Sequence, residues 1–225
     1  MKRIFFSAVL FLALFATAAY AAFAKSPLLT LYAGAESYSD AYVEVPISSS
    51  SPQAQSGVYN ASADGSLFIV AVSPGGSGQT VVEQLNSGGG GGAGGYSEKS
   101  VTVSRGDKFY YTVGSDGSIS ITSAPHSLTI ATTRGAHATS STGAAGGTAS
   151  GGDTDANGLN GGSGNMTQGG AGGDSYIATG GIGGTSGSRN GQPGSQGSGG
   201  GGAYRSGGGG TGGAGGDGFI YFDLQ

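Results

Sequence analysis

The sequence predicts a mostly β protein. A small β-sandwich-like base carries a glycine-rich polyglycine-II helix bundle, and the mature chain holds no α-helix. Three observations predict this. First, 51 of the 225 residues are glycine, and between Gly143 and Gly218 they fall in phased blocks. Gly158, Gly161 and Gly164 sit three apart, as do Gly191, Gly194, Gly197 and Gly200, and then Gly207, Gly210, Gly213 and Gly216. Three residues per turn is the period of polyproline II. In each block one face then carries no Cβ, so backbones can approach closely. Second, short β-prone runs bounded by turn residues occupy the first half and the last residues. Third, glycine costs about 1 kcal/mol per position in a helix, which excludes helix from the second half.

The elements follow in order. Lys2 and Arg3, the apolar run Ile4–Ala16 and small residues ending at Ala21 or Ala24 form a secretory signal-peptide pattern over 1–24. Residues 25–65 form an N-terminal β segment, with strands expected at Leu28–Tyr32 and Ala41–Ile47 and a serine-rich loop at Ser48–Ser56. Residues 66–142 form a β base with the first glycine run. Ser66–Val72 (SLFIVAV) is apolar on both faces and reads as a central strand. Thr80–Leu85 reads as a further strand. Tyr96–Val103 alternates and is expected to pair with Lys108–Val113 through a turn at Arg105-Gly106-Asp107. Ser118–Thr122 and Leu128–Ala131 complete the base. Residues 143–218 form the bundle, expected as antiparallel rods. Residues 219–225 close the chain, Gly218–Leu224 (GFIYFDL) returning as a strand beside Ser66–Val72.

Composition excludes several functions. Removing Lys2 and Arg3 takes the net charge from −4 to −6, and an acidic chain makes few phosphate contacts, so nucleic acid is not an expected partner. No cysteine is present, which excludes a disulfide framework and thiolate metal sites. No apolar run after the leader is long enough to span a membrane. No G-x-S-x-G elbow accompanies the histidines, His126 and His137, and no phosphate-loop pattern occurs. The chain reads as non-enzymatic and without a cofactor.

The order GGGGGAGGYSEKSVTVSRGDKFYYTVG (Gly88–Gly114), the blocks GGAGG and GSGGGGA, and the closing GGAGGDGFIYFDL (Gly212–Leu224) resemble the glycine-rich domain of phage tail-fibre proteins. Tip adhesins of T-even-type phages are among these. The resemblance covers about Ser66–Gln225. It implies a polyglycine-II bundle whose tip loops contact a bacterial surface receptor. The signal-peptide pattern places the chain outside the cell or at its surface, while the resemblance alone implies a virion tail fibre.

Specificity is then expected in the insertions between glycine blocks: Asp153–Asn157, Asn165–Gln168, Asp174–Thr179, Thr185–Gln192 and Ala203–Ser206. Within them Tyr176, Arg189, Asn190, Tyr204 and Arg205 are the candidate ligand-binding residues. Aromatic faces stack on sugar rings, and Arg and Asn hydrogen-bond hydroxyls or carboxylates. The same residues also fit flank packing and solvated turns. Asp153, Asp155 and Asn157 match the first half of a calcium loop, but the twelfth position is Gly164 instead of glutamate, leaving only a weak metal candidate. The expected function is an adhesin-like recognition module binding a cell-surface glycan or protein receptor. The alternatives are a structural matrix or envelope protein with the bundle as spacer and, third, an ice-binding protein.

Overall fold

Period-two burial sets the strands. In β2 (Tyr42–Ile47), Val43, Val45 and Ile47 are buried while Tyr42, Glu44 and Pro46 face out. The same alternation builds β6 (Lys108–Val113), β7 (Ile119–Ser123) and β8 (Leu128–Thr132). The structure, a computed structural model, describes residues 36–38, 42–82, 86–205 and 209–225. The expected signal peptide over 1–24 and the expected strand Leu28–Tyr32 lie outside the described residues. Among the described residues every regular element is a strand, and no helix is long and apolar enough to cross a membrane.

Two sheets result. One runs β10-β5-β4-β11-β2, with β4 at Gly65–Val72, β5 at Tyr96–Val103, β10 at Thr154–Ala156 and β11 at Gly218–Leu224. The other runs β1-β3-β6-β7-β8-β9, with β1 at Glu36–Tyr38, β3 at Gln55–Asn60 and β9 at Ala149–Ser150. All pairings are antiparallel except β1 with β3. Val45, Leu67, Ile69, Ile220 and Phe222 from one sheet share a core with Tyr59, Phe109, Ile121 and Ile130 from the other. Tyr59 and Phe222 stack across it at 4.7 Å.

Several elements differ from expectation. β5 does not pair with β6. It lies between β4 and β10, and Ser104–Asp107 carries the chain from one sheet to the other. This corner is held by Asp107, whose carboxylate accepts the Ser104 N–H at 2.8 Å and meets His126 Nε2 at 2.9 Å. β3 begins inside the expected serine-rich loop. Its inward position Gly57 is covered by the Tyr111 ring, so an aromatic side chain supplies the apolar contact that β3 itself lacks. Thr80–Val82 is not a strand. Val81 makes one isolated bridge to Gly210.

Outside the sheets the chain runs in segments over 73–81, 87–95, 133–139, 143–148, 157–165, 169–174, 179–185, 189–195, 197–204 and 209–217, called rods below, joined by backbone hydrogen bonds between segments. Segment 87–95 lies at the centre. Its N–H groups turn to a new neighbour at each residue: Gly90 donates to Gly162 O (2.9 Å), Gly91 to Gly200 O (2.8 Å), Gly92 to Ala136 O (3.0 Å) and Ala93 again to the first neighbour, at Leu159 O (3.0 Å). Its carbonyls accept from 73–81, 143–148 and 169–174. It therefore has a different rod on each of six sides and is buried throughout. Segment 197–204 repeats the scheme, donating to 73–81, 169–174 and 189–195 and accepting from 87–95, 179–185 and 209–217.

The array is not purely antiparallel. Rod 87–95 runs against 73–81, 133–139, 157–165 and 197–204 but along 143–148 and 169–174. Its bonds point radially from the rod axis, so either direction satisfies them. The phased run Gly191–Gly200 is not one rod. The chain reverses at Gly197, whose φ of 73° admits glycine at low cost, and Ser198 N–H closes the turn on Ser195 O at 2.7 Å.

Candidate functional site

Each rod joins a strand or a tight turn at its sheet-proximal end, and a second set of turns gathers at the distal end. The proximal end is marked by Gly95 donating to Thr133 O, Gly94 to Gly197 O and Gly216 to Ser198 O. The distal end is marked by Ser87 donating to Asn165 O, Gly88 to Ala203 O and Tyr204 to Arg189 O. The distal turns carry Val82, Ser140–Thr142, Met166, Thr167, Ser186–Ser188 and Arg205.

The sequence-predicted residues divide between the two ends. Arg189, Asn190, Tyr204 and Arg205 belong to the distal end. Tyr204 N–H donates to Arg189 O at 2.8 Å, and Asn190 Oδ1 accepts the Thr211 N–H at 3.0 Å. Arg205 donates from Nε to Met166 O at 3.1 Å and from its backbone N–H to Ser87 Oγ at 3.0 Å. Tyr176 sits at the proximal end, exposed, with its ring 4.5 Å from that of Tyr96 at the start of β5. Ser206 lies outside the described residues.

Asp153, Asp155 and Asn157 turn their oxygens onto this chain's own donors. Asp153 pairs with Lys99 Nζ and accepts the Ser100 N–H at 3.0 Å, and these partners hold its carboxyl below the usual carboxylate range. Asp155 accepts from Ser97 Oγ at 2.6 Å and Asn157 from the Ala149 N–H at 3.0 Å. Among the described residues no group of three or more His, Asp or Glu is placed to hold a metal ion.

Two apolar residues at the distal end were not singled out from the sequence, although Val82 lay in the expected strand Thr80–Leu85 and Met166 in the expected insertion Asn165–Gln168. Val82 is 72% exposed and Met166 63% exposed. A shallow cleft of about 480 Å³ lies at the proximal end between Ser48–Ser50, Gly194–Gln196 and Ala214–Asp217. Its polar groups face one another: Ser49 N–H donates to Asp217 Oδ1 at 2.6 Å and Ser49 Oγ to Gly215 O at 2.5 Å.

A third cluster, also missed, lies on the outer face of the five-stranded sheet. Its signal was present as a repeated Tyr-x-acid at strand spacing: Tyr42-Val43-Glu44, Tyr96-Ser97-Glu98 and Tyr221-Phe222-Asp223. The pairing register aligns them in rows. Tyr42 opposes Asp223, Asp223 opposes Phe68, and Phe68 opposes Ser100; in the next row stand Glu44, Tyr221, Val70, Glu98 and Thr154. Tyr42 Oη donates to Glu44 Oε2 at 3.0 Å, and Tyr96 Oη donates to Glu98. The hydrogen bond to Glu44 raises the Tyr42 hydroxyl, and burial followed by the nearby Asp223 charge raises that of Tyr221.

Comparison with known proteins adds no relative: no protein-family model and no curated protein sequence matches the chain.

Proposed function

We propose that this chain is a non-enzymatic, adhesin-like recognition module, secreted or held at a cell surface. A polyglycine-II bundle seated on a sandwich-like pair of sheets presents its distal loops to a cell-surface glycan or another receptor. One observation carries the reading. Rods bonded to one another through their backbones deliver several short turns to a single end, and that end exposes apolar Val82, and Met166 beside Arg205. Rigid backbones that hold variable turns are an economical binding scaffold, because little order has to be gained on binding. The distal end holds Arg189 and Arg205, whose guanidinium groups suit an anionic surface polymer.

Binding to an array of acidic and neutral glycans, and to whole bacterial cells, tests the reading. Saturable binding to acidic polymers, lost in an Arg189→Ala, Arg205→Ala double variant that still melts cooperatively, is expected. Absence of binding by a cooperatively melting chain would sink it.

A structural spacer is the second reading, and it has its own observation. Leu159 and Ile182 are exposed on the sides of their rods, where they favour lateral association. Sedimentation separates the two: concentration-dependent assembly abolished by Leu159→Ser and Ile182→Ser favours the spacer.

A further inference from the structure

The outer face of the five-stranded sheet stands apart from the distal loops and does not depend on their role. Asp223 lies on β11, between Tyr42 on β2 and Phe68 on β4, its direct cross-strand partners. Tyr221, two residues earlier on the same face, closes one end. The Tyr42 and Tyr221 rings lie 5.0 Å apart at 78°, and the Phe68 and Tyr221 rings 6.4 Å apart at 76°. The three rings share one sheet face with the carboxylate. Tyr42 is 55% exposed, and Phe68, Tyr221 and Asp223 are half-buried, so each of the four keeps some solvent contact.

We propose that Tyr42, Phe68 and Tyr221, around the Asp223 carboxylate, bind a quaternary ammonium group such as the trimethylammonium of choline.

Three features select this chemistry. The negative faces of aromatic rings attract a cation, and the attraction grows when the site is partly desolvated. The two rows hold Glu44, Glu98 and Asp223 and no cationic side chain, so the charge of the face is complementary. Finally, Glu44 Oε2 takes the Tyr42 hydroxyl and Asp223 Oδ2 takes the Gln225 Nε2–H at 3.2 Å, which leaves fewer acceptor positions for the several N–H groups of a lysine or arginine, whereas a quaternary ammonium has no N–H to satisfy.

The test is a titration of the full chain with tetramethylammonium chloride and with choline chloride at constant ionic strength. Tyrosine fluorescence reports it cleanly because the chain has no tryptophan, and NMR shifts of the rings locate it. A saturable response at Tyr42, Phe68 and Tyr221 is expected. Tyr42→Ala and Asp223→Asn weaken it about tenfold. The isosteric Asp223→Asn keeps the melting temperature, which guards against a folding defect. Tyr110→Ala, on an exposed tyrosine of the other sheet, leaves binding unchanged. The proposal is overturned if sodium chloride gives the same response, if no response saturates, if Asp223→Asn binds as well as the parent, or if only a lysine-rich peptide or a neutral oligosaccharide binds.

Discussion

A methyl group built on Gly91 would fall inside the van der Waals envelope of Gly76 O, with more backbone of the same rod behind it. Backbone cannot swing away as a flexible side chain can. Gly91→Ala is therefore expected to cost about 3 kcal/mol, or roughly 10 °C in melting temperature, by overpacking. Gly187, in a distal turn, has nothing within 4 Å of the same position. Gly187→Ala should move the melt by less than about 0.5 kcal/mol. A calorimetric comparison of the two variants checks whether glycine serves close approach or merely composition. His137 makes a second residue-scale case. Its Nδ1 accepts the Ser77 N–H at 2.9 Å, filling the place a carbonyl would take in the rod array. Partial burial, and then the charge of Arg134, hold its pKa below the ordinary histidine value. The unfolded chain thus takes up the proton first, and stability falls as pH drops from about 6.5 through the folded value. Melting curves between pH 7.5 and 5 should show this decline, and His137→Gln should flatten it.

Among elements, the turn between rods 157–165 and 169–174 depends on one side chain. Asn165 Oδ1 accepts the Thr167 N–H at 2.8 Å, the Gln168 N–H at 3.0 Å and Thr167 Oγ1 at 2.8 Å. Asn165→Ala should cost about 1 kcal/mol and speed amide exchange at Thr167 and Gln168, and Asn165→Asp should largely restore both. Elements also differ in how far they could be read from sequence. β4 and β6 were legible because apolar side chains mark their buried positions. β3 was not, because Gly57 stands at an inward position and Tyr111, from another strand, supplies the contact. The partner of β5 was misread because a tight Arg105-Gly106-Asp107 turn looks alike whether it joins two strands of one sheet or carries the chain between two. Of the candidate site, the distal grouping of Arg189, Asn190, Tyr204 and Arg205 was legible from the insertions between glycine blocks. Tyr176 was separated from them because a linear order of loops does not say which end of a rod each loop occupies.

For the whole molecule, the phased glycines announced close-packed rods but not which rod is central. That place falls to 87–95, ahead of the expected bundle, because it alone among the early runs is glycine at every position except Ser87 and Ala93. The two enclosed rods have no amide facing water along their buried lengths. Hydrogen exchange of residues 88–95 and 197–203 is expected to require global unfolding, with a common protection free energy, whereas the outer rods exchange by local opening. Different protection in the two enclosed rods would mean that the array opens in parts.

One arrangement has a consequence in time. Among the described residues β2 has β11 as its only hydrogen-bonded neighbour, and β4 has β11 on one flank. Val45 must wait for Ile220, 175 residues further along the chain. Such distant pairing makes for slow folding. The pairs β4–β5 and β5–β10 can form early, but the five-stranded sheet is complete only when Gly218–Leu224 inserts between β4 and β2, so its edge strand is the last to be held.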